Sequence, residues 1–423
     1  MATALRVLNS DGWLLFATRS IRLFAYGGLS VVLVLYLVSL GLSESGVGLL
    51  LTATLLGDTL ISLYLTTQAD RIGRRHMLII GAALMAGAGI VFGFTARFWL
   101  LVIAGTIGVI SPSGQEVGPF LPIEQAALSQ TVAAGARTEV FAWYTLAGSS
   151  ASALGALVAG TLTQSLQTSW APVDSYRAVV IAYACVGVVL ALFFRRLTSA
   201  SEVHVAATTL AGVSRSRRVI LKLSALFALD SFGGGFVVQS FAAYWFYLRF
   251  GVDPQTLGML FFAANVLAGI SALVASRLAN RIGLVNTMVV THLPSNVLLI
   301  LIPLMPTLWL AALMLLVRFS ISQMDVPTRQ SYVMAVVHPH ERSAASGITG
   351  VARTTGAAMS PLFAGLLFGH PSLINVPFFI AGSLKIVYDL LLFRAFRAIK
   401  PPEEASRVAL VLTAFIFSGA IAP

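Results

Sequence analysis

The chain has 423 residues, of which 57% are hydrophobic and only 10% are charged, and its mean hydropathy is +0.89. Soluble domains carry about 25% charged residues, so a chain this long and this apolar cannot cover a folded surface with polar groups. The composition predicts an integral membrane protein. It excludes disorder, a collagen-like repeat and, with the single cysteine Cys185, a disulfide scaffold.

A helix needs about 20 mostly apolar residues to cross a bilayer, and twelve such runs occur along the chain. We number them spans 1 to 12: 13–40, 46–67, 77–95, 98–130, 138–163, 176–194, 219–249, 255–278, 285–303, 308–336, 343–369 and 373–396. The sequence thus predicts an all-α membrane protein made of two six-helix bundles. The predicted divisions are a bundle at 1–194, a cytoplasmic linker at 195–218, a bundle at 219–396 and a tail at 397–423.

The cationic residues predict the orientation, because Lys and Arg accumulate on the cytoplasmic side of a membrane. With both termini in the cytoplasm, 18 of the 27 Lys and Arg residues lie on that side and six lie inside spans. Only Arg97, Arg177 and Arg249 face the opposite side. The net charge of +11 therefore indicates topology, and we expect no nucleic-acid partner.

The two halves contain an internal repeat. Ala-Asp-Arg-Ile-Gly at 69–73, after span 2, recurs as Ala-Asn-Arg-Ile-Gly at 279–283, after span 8, at an offset of 210 residues. Pro122 and Pro327, like Gly160 and Gly365, are 205 residues apart, so the first half has five extra residues between 100 and 122. Two such pseudo-symmetric halves, with a binding site between them near the midplane, are typical of secondary transporters.

The loop between spans 2 and 3 reads Asp-Arg-Ile-Gly-Arg-Arg at 70–75. With the repeat and the twelve spans, this motif resembles the signature of the major facilitator superfamily, and the resemblance covers residues 10–396. The family glycine four residues before the acid is Thr66 here. The resemblance is to the bacterial efflux-type branch, although the arginine in span 4 and the Gly-Pro signature in span 5 of that branch are missing.

This resemblance implies a cytoplasmic latch at the motif. In the family the motif acid docks near the start of span 11, and Arg74 would bridge to Glu124 or Glu139 at the end of span 4. Gly73 would permit the tight turn. The alternative is an ordinary cationic loop. The expected gating residues are Asp70, Arg71, Gly73, Arg74, Arg75, Glu124 and Arg329.

Charged residues inside the spans mark a transport path, because each costs at least ~2.5 kcal/mol unless it faces water or a partner. In span 1, Arg19, Arg22 and Tyr26 share one helix face. In span 7, Asp230 precedes three glycines, which would loosen the helix. We expect Arg19 or Arg22 to balance Asp230 across the two halves, either as a coupling pair or as a static salt bridge.

Span 10 carries one polar face. Arg318, Ser322, Asp325 and Arg329 follow at helical spacing down an otherwise apolar segment. This face must look into the bundle, either as a satisfied network within the helix or in contact with a substrate. In span 12, Lys385 and Asp389 are four residues apart, so we expect them to neutralise one another.

Span 4 is interrupted by three prolines and two glycines within 111–125. Irregular backbone at membrane depth lines a cavity or is buried in protein, so this stretch points to a transport site unless span 4 simply ends early. Glu116 is the candidate for proton coupling, with Gln115 as its neutral neighbour, and Glu124 is expected to form a gate pair with Arg329.

No phosphate-binding loop, nucleophile with a base, or metal-ligand spacing occurs, so we expect no enzyme, ATP-driven pump, metal or cofactor. The predicted function is a monomeric, multi-pass secondary active transporter in the cytoplasmic (inner cell) membrane. It would move a small organic solute by alternating access, as proton-coupled efflux. The alternatives are an uncoupled uniporter or lipid-like flippase, or a non-transporting membrane receptor. The arginines in the spans favour an anionic or polar cargo.

Overall fold

The computed structural model describes residues 8–132, 137–198, 202, 216–338 and 341–399. Within these ranges the chain forms α-helices, short 3₁₀ turns and no strands, which confirms the all-helical prediction. The α-helices there are α1 (Ser10–Ser39), α2 (Glu44–Ile72), α3 (Arg74–Phe94), α4 (Phe98–Ile107), α5 (Phe120–Thr131), α6 (Arg137–Leu166), α7 (Pro172–Phe194), α8 (Arg217–Gly235), α9 (Gln239–Phe250), α10 (Pro254–Ile282), α11 (Leu284–Leu301), α12 (Leu308–Ser322), α13 (Asp325–Val336), α14 (Arg342–Phe368) and α15 (Val376–Phe396).

Ten helical segments of the described chain are long and apolar enough to cross a membrane. The helix pairs α8–α9 and α12–α13 each form one of these segments. The two predicted spans that are not among the ten are span 4, which is broken into α4 and α5, and span 11. Span 11 forms the 27-residue α14, whose Gly, Ser, Thr and Arg residues dilute its apolar character.

The glycines of the repeated motif end the corresponding helices. Gly73 closes α2 with a φ of 113°, and Gly283 closes α10 with a φ of 89°. The amide of each donates to the carbonyl of the motif alanine, Ala69 or Ala279, at 3.0 and 2.9 Å. Because positive φ strains residues that have a Cβ atom, both repeats need glycine at this turn.

The predicted break in span 4 is present. Helix α4 ends at Ile107 and α5 begins at Phe120, and Gly114 and Gly118 take positive φ values of 68° and 79° between them. In span 7, α8 ends at Gly235, the last of the three glycines. Span 10 is also interrupted, at residues 323–324. These interruptions place irregular backbone in the interior of the bundle.

The halves pack through glycines at two symmetry-related crossings, α2 against α14 and α6 against α10. A Cβ atom added to Gly48 would lie 2.9 Å from the Cα of Gly365. A Cβ atom added to Gly160 would lie 2.8 Å from the Cα of Gly258. Gly48 and Gly258 are 210 residues apart and Gly160 and Gly365 are 205 apart, which are the offsets of the repeat. Small residues allow such backbone contacts between membrane helices.

Polar contacts also join the halves in the part of the bundle toward the end of α1. Tyr244 donates a hydrogen bond to Glu44 at 2.7 Å, and the amide of Gln239 donates to Ser30 at 2.8 Å. The backbone N–H and hydroxyl of Ser240 both donate to the carbonyl of Pro112, at 3.1 and 2.5 Å. We call this region, with the two glycine crossings, the closed end.

Candidate functional site

The first half holds a buried charge cluster where α1 meets the broken span 4. Arg22 donates to both oxygens of Glu124, at 2.6 and 2.8 Å, and the Tyr144 hydroxyl donates to Glu124 at 2.6 Å. Glu116 forms an ion pair with Arg19 at 3.0 Å and accepts a hydrogen bond from Arg22 at 3.2 Å. Two cations therefore meet two carboxylates, and this cluster carries no net charge.

Aromatic rings enclose the first-half cluster. The Arg22 guanidinium lies 4.4 Å from the centre of the Phe120 ring. The Arg19 guanidinium lies 4.4 Å from the centre of the Tyr144 ring. Tyr26 stacks on a second buried tyrosine, Tyr183. Cation–π contacts of this kind strengthen when water is excluded. The cluster thus fastens α1 to both flanks of the broken span.

The second half holds a separate cluster around Asp230 of α8. Its two carboxylate oxygens accept from Lys385 of α15 at 2.6 Å and from Arg329 of α13 at 3.0 Å. Arg329 also lies 3.4 Å from Asp325. The Nε2 atom of His292 lies 3.7 Å from Asp230. Side chains from three other spans therefore converge on this one carboxylate.

Behind His292 lies a second carboxylate. The Nδ1 atom of His292 is 2.8 Å from Asp389 of α15, and the amide of Asn296 donates to Asp389 at 2.9 Å. Asp389 is fully buried, and these contacts hold it against α11. The histidine thus bridges two acids, Asp230 and Asp389, across the interior of the second half.

A cavity of about 280 Å³ opens beside Asp230. Both halves line it, with Leu55, Pro112 and Ser113 from the first and the remaining residues from the second. The charged and polar side chains of the second half on its wall are Asp230, Ser231, His292, Arg318, Ser322, Gln323, Asp325, Arg329, Arg353 and Lys385. Four Arg and Lys residues therefore face two Asp residues on this wall.

Two arginines of this wall are not paired. Among the described residues, Arg318 of α12 and Arg353 of α14 form no ion pair, and their Nε atoms are buried without a hydrogen-bond partner. The Ser322 hydroxyl, on the same wall, is also buried without one. Because Asp230 and Asp325 are taken by Arg329 and Lys385, the cavity wall has a surplus of two positive charges.

Ligand atoms of Asp230, His292 and Asp325 lie within 4.8 Å of one another, a spacing that would suit a metal ion. Both oxygens of Asp230 already accept from Lys385 and Arg329, however. Divalent cations are disfavoured where ammonium and guanidinium groups hold the carboxylate, because the like charges repel. We assign no metal to this cluster.

A sequence model described as the Major Facilitator Superfamily matches residues 15–361 and 223–417 of this chain. The chain belongs to the Major Facilitator Superfamily. It is 31% identical over 419 residues to the uncharacterised membrane protein YJR124C of Saccharomyces cerevisiae, a match that covers 91% of this chain and 93% of the yeast protein.

Solved structures of this superfamily share the fold at low sequence identity. The nucleoside transporter NupG is 14% identical with a TM-score of 0.72, over 92% of this chain and 99% of that chain. A D-xylose–proton symporter is 16% identical with a TM-score of 0.71, over 90% and 97%. Membership of a transporter family agrees with the prediction that the chain is not an enzyme.

The structure of this major facilitator corrects the predicted charge pairs. Asp230 is balanced by Lys385 and Arg329 of its own half, and not by Arg19 or Arg22. The predicted gate pair of Glu124 with Arg329 is likewise wrong, because Glu124 is held by Arg22 and Tyr144. Lys385 and Asp389 do not neutralise one another either, since each has a partner on a different helix.

The predicted latch is described only in part. The side chains of Asp70 and Glu139 lie outside the described residues. Arg71 is exposed, and the backbone amides of Arg74 and Arg75 donate to the carboxylate of Glu202 at 2.7 and 2.9 Å. An acid from the linker therefore caps α3, and the partners that the structure gives to Glu124 are Arg22 and Tyr144.

The predicted face of span 10 stays together although the helix is interrupted. Arg318, Ser322, Asp325 and Arg329 all line the cavity. Gln115 and Glu116 lie on the broken segment but not on this cavity wall.

The sequence did not point to His292 or Lys385 as site residues, and it pointed to Arg353 only as one of the span arginines that favour an anionic or polar cargo; all three lie on the wall. His292 occupies the middle of the apolar helix α11, and a histidine at that position is the signal in the sequence that could have identified it.

Proposed function

We propose that this chain is a secondary active transporter that moves a small organic solute by alternating access. Its family already implies membrane transport of a solute. The observation that supports the mechanism is the cavity, which both halves line and which lies beside the contacts that join them at the closed end. Rocking one half against the other about such a site would expose it to each side in turn.

The proposal includes twelve spans with both termini in the cytoplasm. Helices α4 and α5 would together form span 4, and α14 would form span 11. With this orientation the closed end faces away from the cytoplasm, and the described state is inward-facing. The glycine crossings would separate when the transporter turns outward, because they join the halves only at that end.

We assign proton coupling to two carboxylates inside the bundle, the buried Asp230 and the partly buried Glu116, which bind two cations each. Asp230 holds Lys385 and Arg329, and Glu116 holds Arg19 and Arg22. Protonating either acid would release its cations, which would change the charge inside the bundle and shift the balance between the two states. We propose efflux as the direction, from the resemblance of the 70–75 motif to the efflux-type branch.

Distance measurements between spin labels test alternating access. In a Cys185→Ser background, Ser169→Cys with Gln255→Cys reports the closed end, and Thr67→Cys with Ser346→Cys reports the opposite end. All four labelled positions are exposed. We expect one distance to lengthen as the other shortens when the pH or a transported solute is changed. Two distances that never change, or that change together, would contradict alternating access.

Reconstitution in liposomes tests coupling. We expect solute flux to move protons and to respond to a pH gradient. We expect Asp230→Asn or Glu116→Gln to uncouple solute flux from proton flux. Flux that ignores the gradient and both substitutions would favour the uncoupled uniporter or flippase. Saturable binding without flux would favour a receptor.

A further inference from the structure

We infer that the cavity binds a small organic anion, and that Arg318 and Arg353 are the residues that hold its charge. This inference names the cargo class of the proposed transport site and therefore rests on the proposed function. The similar solved proteins carry nucleosides and D-xylose, which differ in chemistry, so the fold does not select the cargo. The selection must come from the residues on the cavity wall.

The ion pairs described on the cavity wall do not include Arg318 or Arg353. Both oxygens of Asp230 are occupied, one by Lys385 at 2.6 Å and the other by Arg329 at 3.0 Å. Asp325 lies against Arg329 at 3.4 Å. Among the described residues, neither acid of the wall forms an ion pair with Arg318 or Arg353.

An unpaired guanidinium inside a membrane protein is unfavourable unless water or an anion meets it. Arg318 and Arg353 lie on separate helices, α12 and α14, and both face the same space. A guanidinium binds carboxylate or phosphate through two parallel hydrogen bonds, so two of them suit an anion with one or two negative charges. The buried hydroxyl of Ser322 on the same wall supplies a further hydrogen-bond partner.

The remaining wall sets the size and polarity of the anion. The cavity measures about 280 Å³, which lies at the lower limit of ligand sites, so the cargo is small. Leu55, Val238, Val326 and Ala357 contribute apolar surface beside the charged groups. This combination fits an organic anion with a short carbon skeleton that carries a carboxylate or a phosphate.

The first test measures the melting temperature of the protein without added ligand. Replacing an unpaired cation removes repulsion from the neighbouring cations, so we expect Arg318→Gln and Arg353→Gln to raise the melting temperature of the purified protein in detergent. Arg329→Gln should lower it, because that change breaks the pair with Asp230. The exposed Arg249→Gln serves as a control that leaves it unchanged. A lowered melting temperature in both cavity variants would mean that the two arginines are already balanced, and it would overturn the inference.

The second test adds ligands as charge-matched pairs: succinate with succinamide, benzoate with benzamide, glycerol phosphate with glycerol, and the cation putrescine. We expect at least one anion to raise the melting temperature while its neutral counterpart does not. The shift should disappear in Arg318→Gln and Arg353→Gln and persist in Arg249→Gln. Stabilisation by putrescine or by the neutral compounds alone, no shift with any anion, or a shift that survives in both cavity variants would contradict the anion site.

Failure of this inference and failure of transport are distinguishable. If liposome flux occurs but no anion binds through the two arginines, the transporter proposal stands and the cargo class is wrong. If an anion binds through them and no flux occurs, the anion site stands and the protein is a receptor.

Discussion

Replacing Gly160 by alanine tests whether the glycine crossings hold the closed end shut. The added methyl group would lie 2.4 Å from the carbonyl oxygen of Pro254 and 2.8 Å from the Cα of Gly258. Both groups are backbone, so no side-chain rotation relieves the overlap. Since ordinary contact begins near 3.4 Å, α6 and α10 would have to move apart by about 1 Å.

The magnitude follows from the cost of overpacking. Extra methylene groups in a well-packed region cost about 1–3 kcal/mol. This cost falls only on the state in which the crossing is closed. A difference of that size changes the ratio of the two states by about 5- to 150-fold. Gly160→Ala should therefore convert an inward-facing population into one with a large outward-facing fraction.

The assay is the label pair at Ser169 and Gln255, which follows the end of α6 and the start of α10. We expect Gly160→Ala to add a longer distance to the distribution, and the symmetry-related Gly365→Ala to do the same. Gly87→Ala is the matched control, because a Cβ atom there meets no atom within 4 Å. Unchanged distances in Gly160→Ala, or an equal change in Gly87→Ala, would refute the reasoning.

Three further predictions concern stability. Arg22→Gln or Glu124→Gln alone should destabilise the protein by about 3–5 kcal/mol, because each leaves the buried cluster with one uncompensated charge, and the double variant should recover much of this loss in thermal unfolding. Glu202→Gln should weaken the cap of α3 by about 0.5–2 kcal/mol, seen as faster hydrogen exchange in its first turn, with the rest of the helix as control. His292→Ala should cost about 1–3 kcal/mol in the same unfolding assay, because Asp389 loses a buried partner; no loss would show that the contact is not structural.

Local features of the fold were predictable from the sequence. The stretch of span 4 that contains prolines and glycines indicated a broken helix, and the chain is non-helical between Ile107 and Phe120; the glycines at 73 and 283 end two further helices. Such signals act within one turn of the chain, so a single sequence contains them. The repeat offsets also anticipated which glycines would occupy equivalent positions.

The pairing of buried charges could not be predicted in the same way. Asp230 is bound by residues 99 and 155 positions away, and the choice among several arginines depends on the tilt and rotation of whole helices. The sequence suggested a contact between the halves, in which Arg19 or Arg22 would balance Asp230. In the folded structure most buried charges instead pair within their own half. The positive surplus on the cavity wall becomes evident only once the partners of Asp230 and Asp325 are known.

The backbone at residues 112–114 connects the cavity wall to both halves of the bundle. The carbonyl of Pro112 is tied to the second half through Ser240, and the carbonyl of Gly114 is tied to α6 through the Ser152 hydroxyl at 2.8 Å. Ser113, between these two anchors, lines the cavity. A short segment fixed at both ends passes a displacement of its middle residue to each anchor. In the proposed transport cycle, a solute that displaces Ser113 would therefore strain the contact between Pro112 and Ser240 at the closed end.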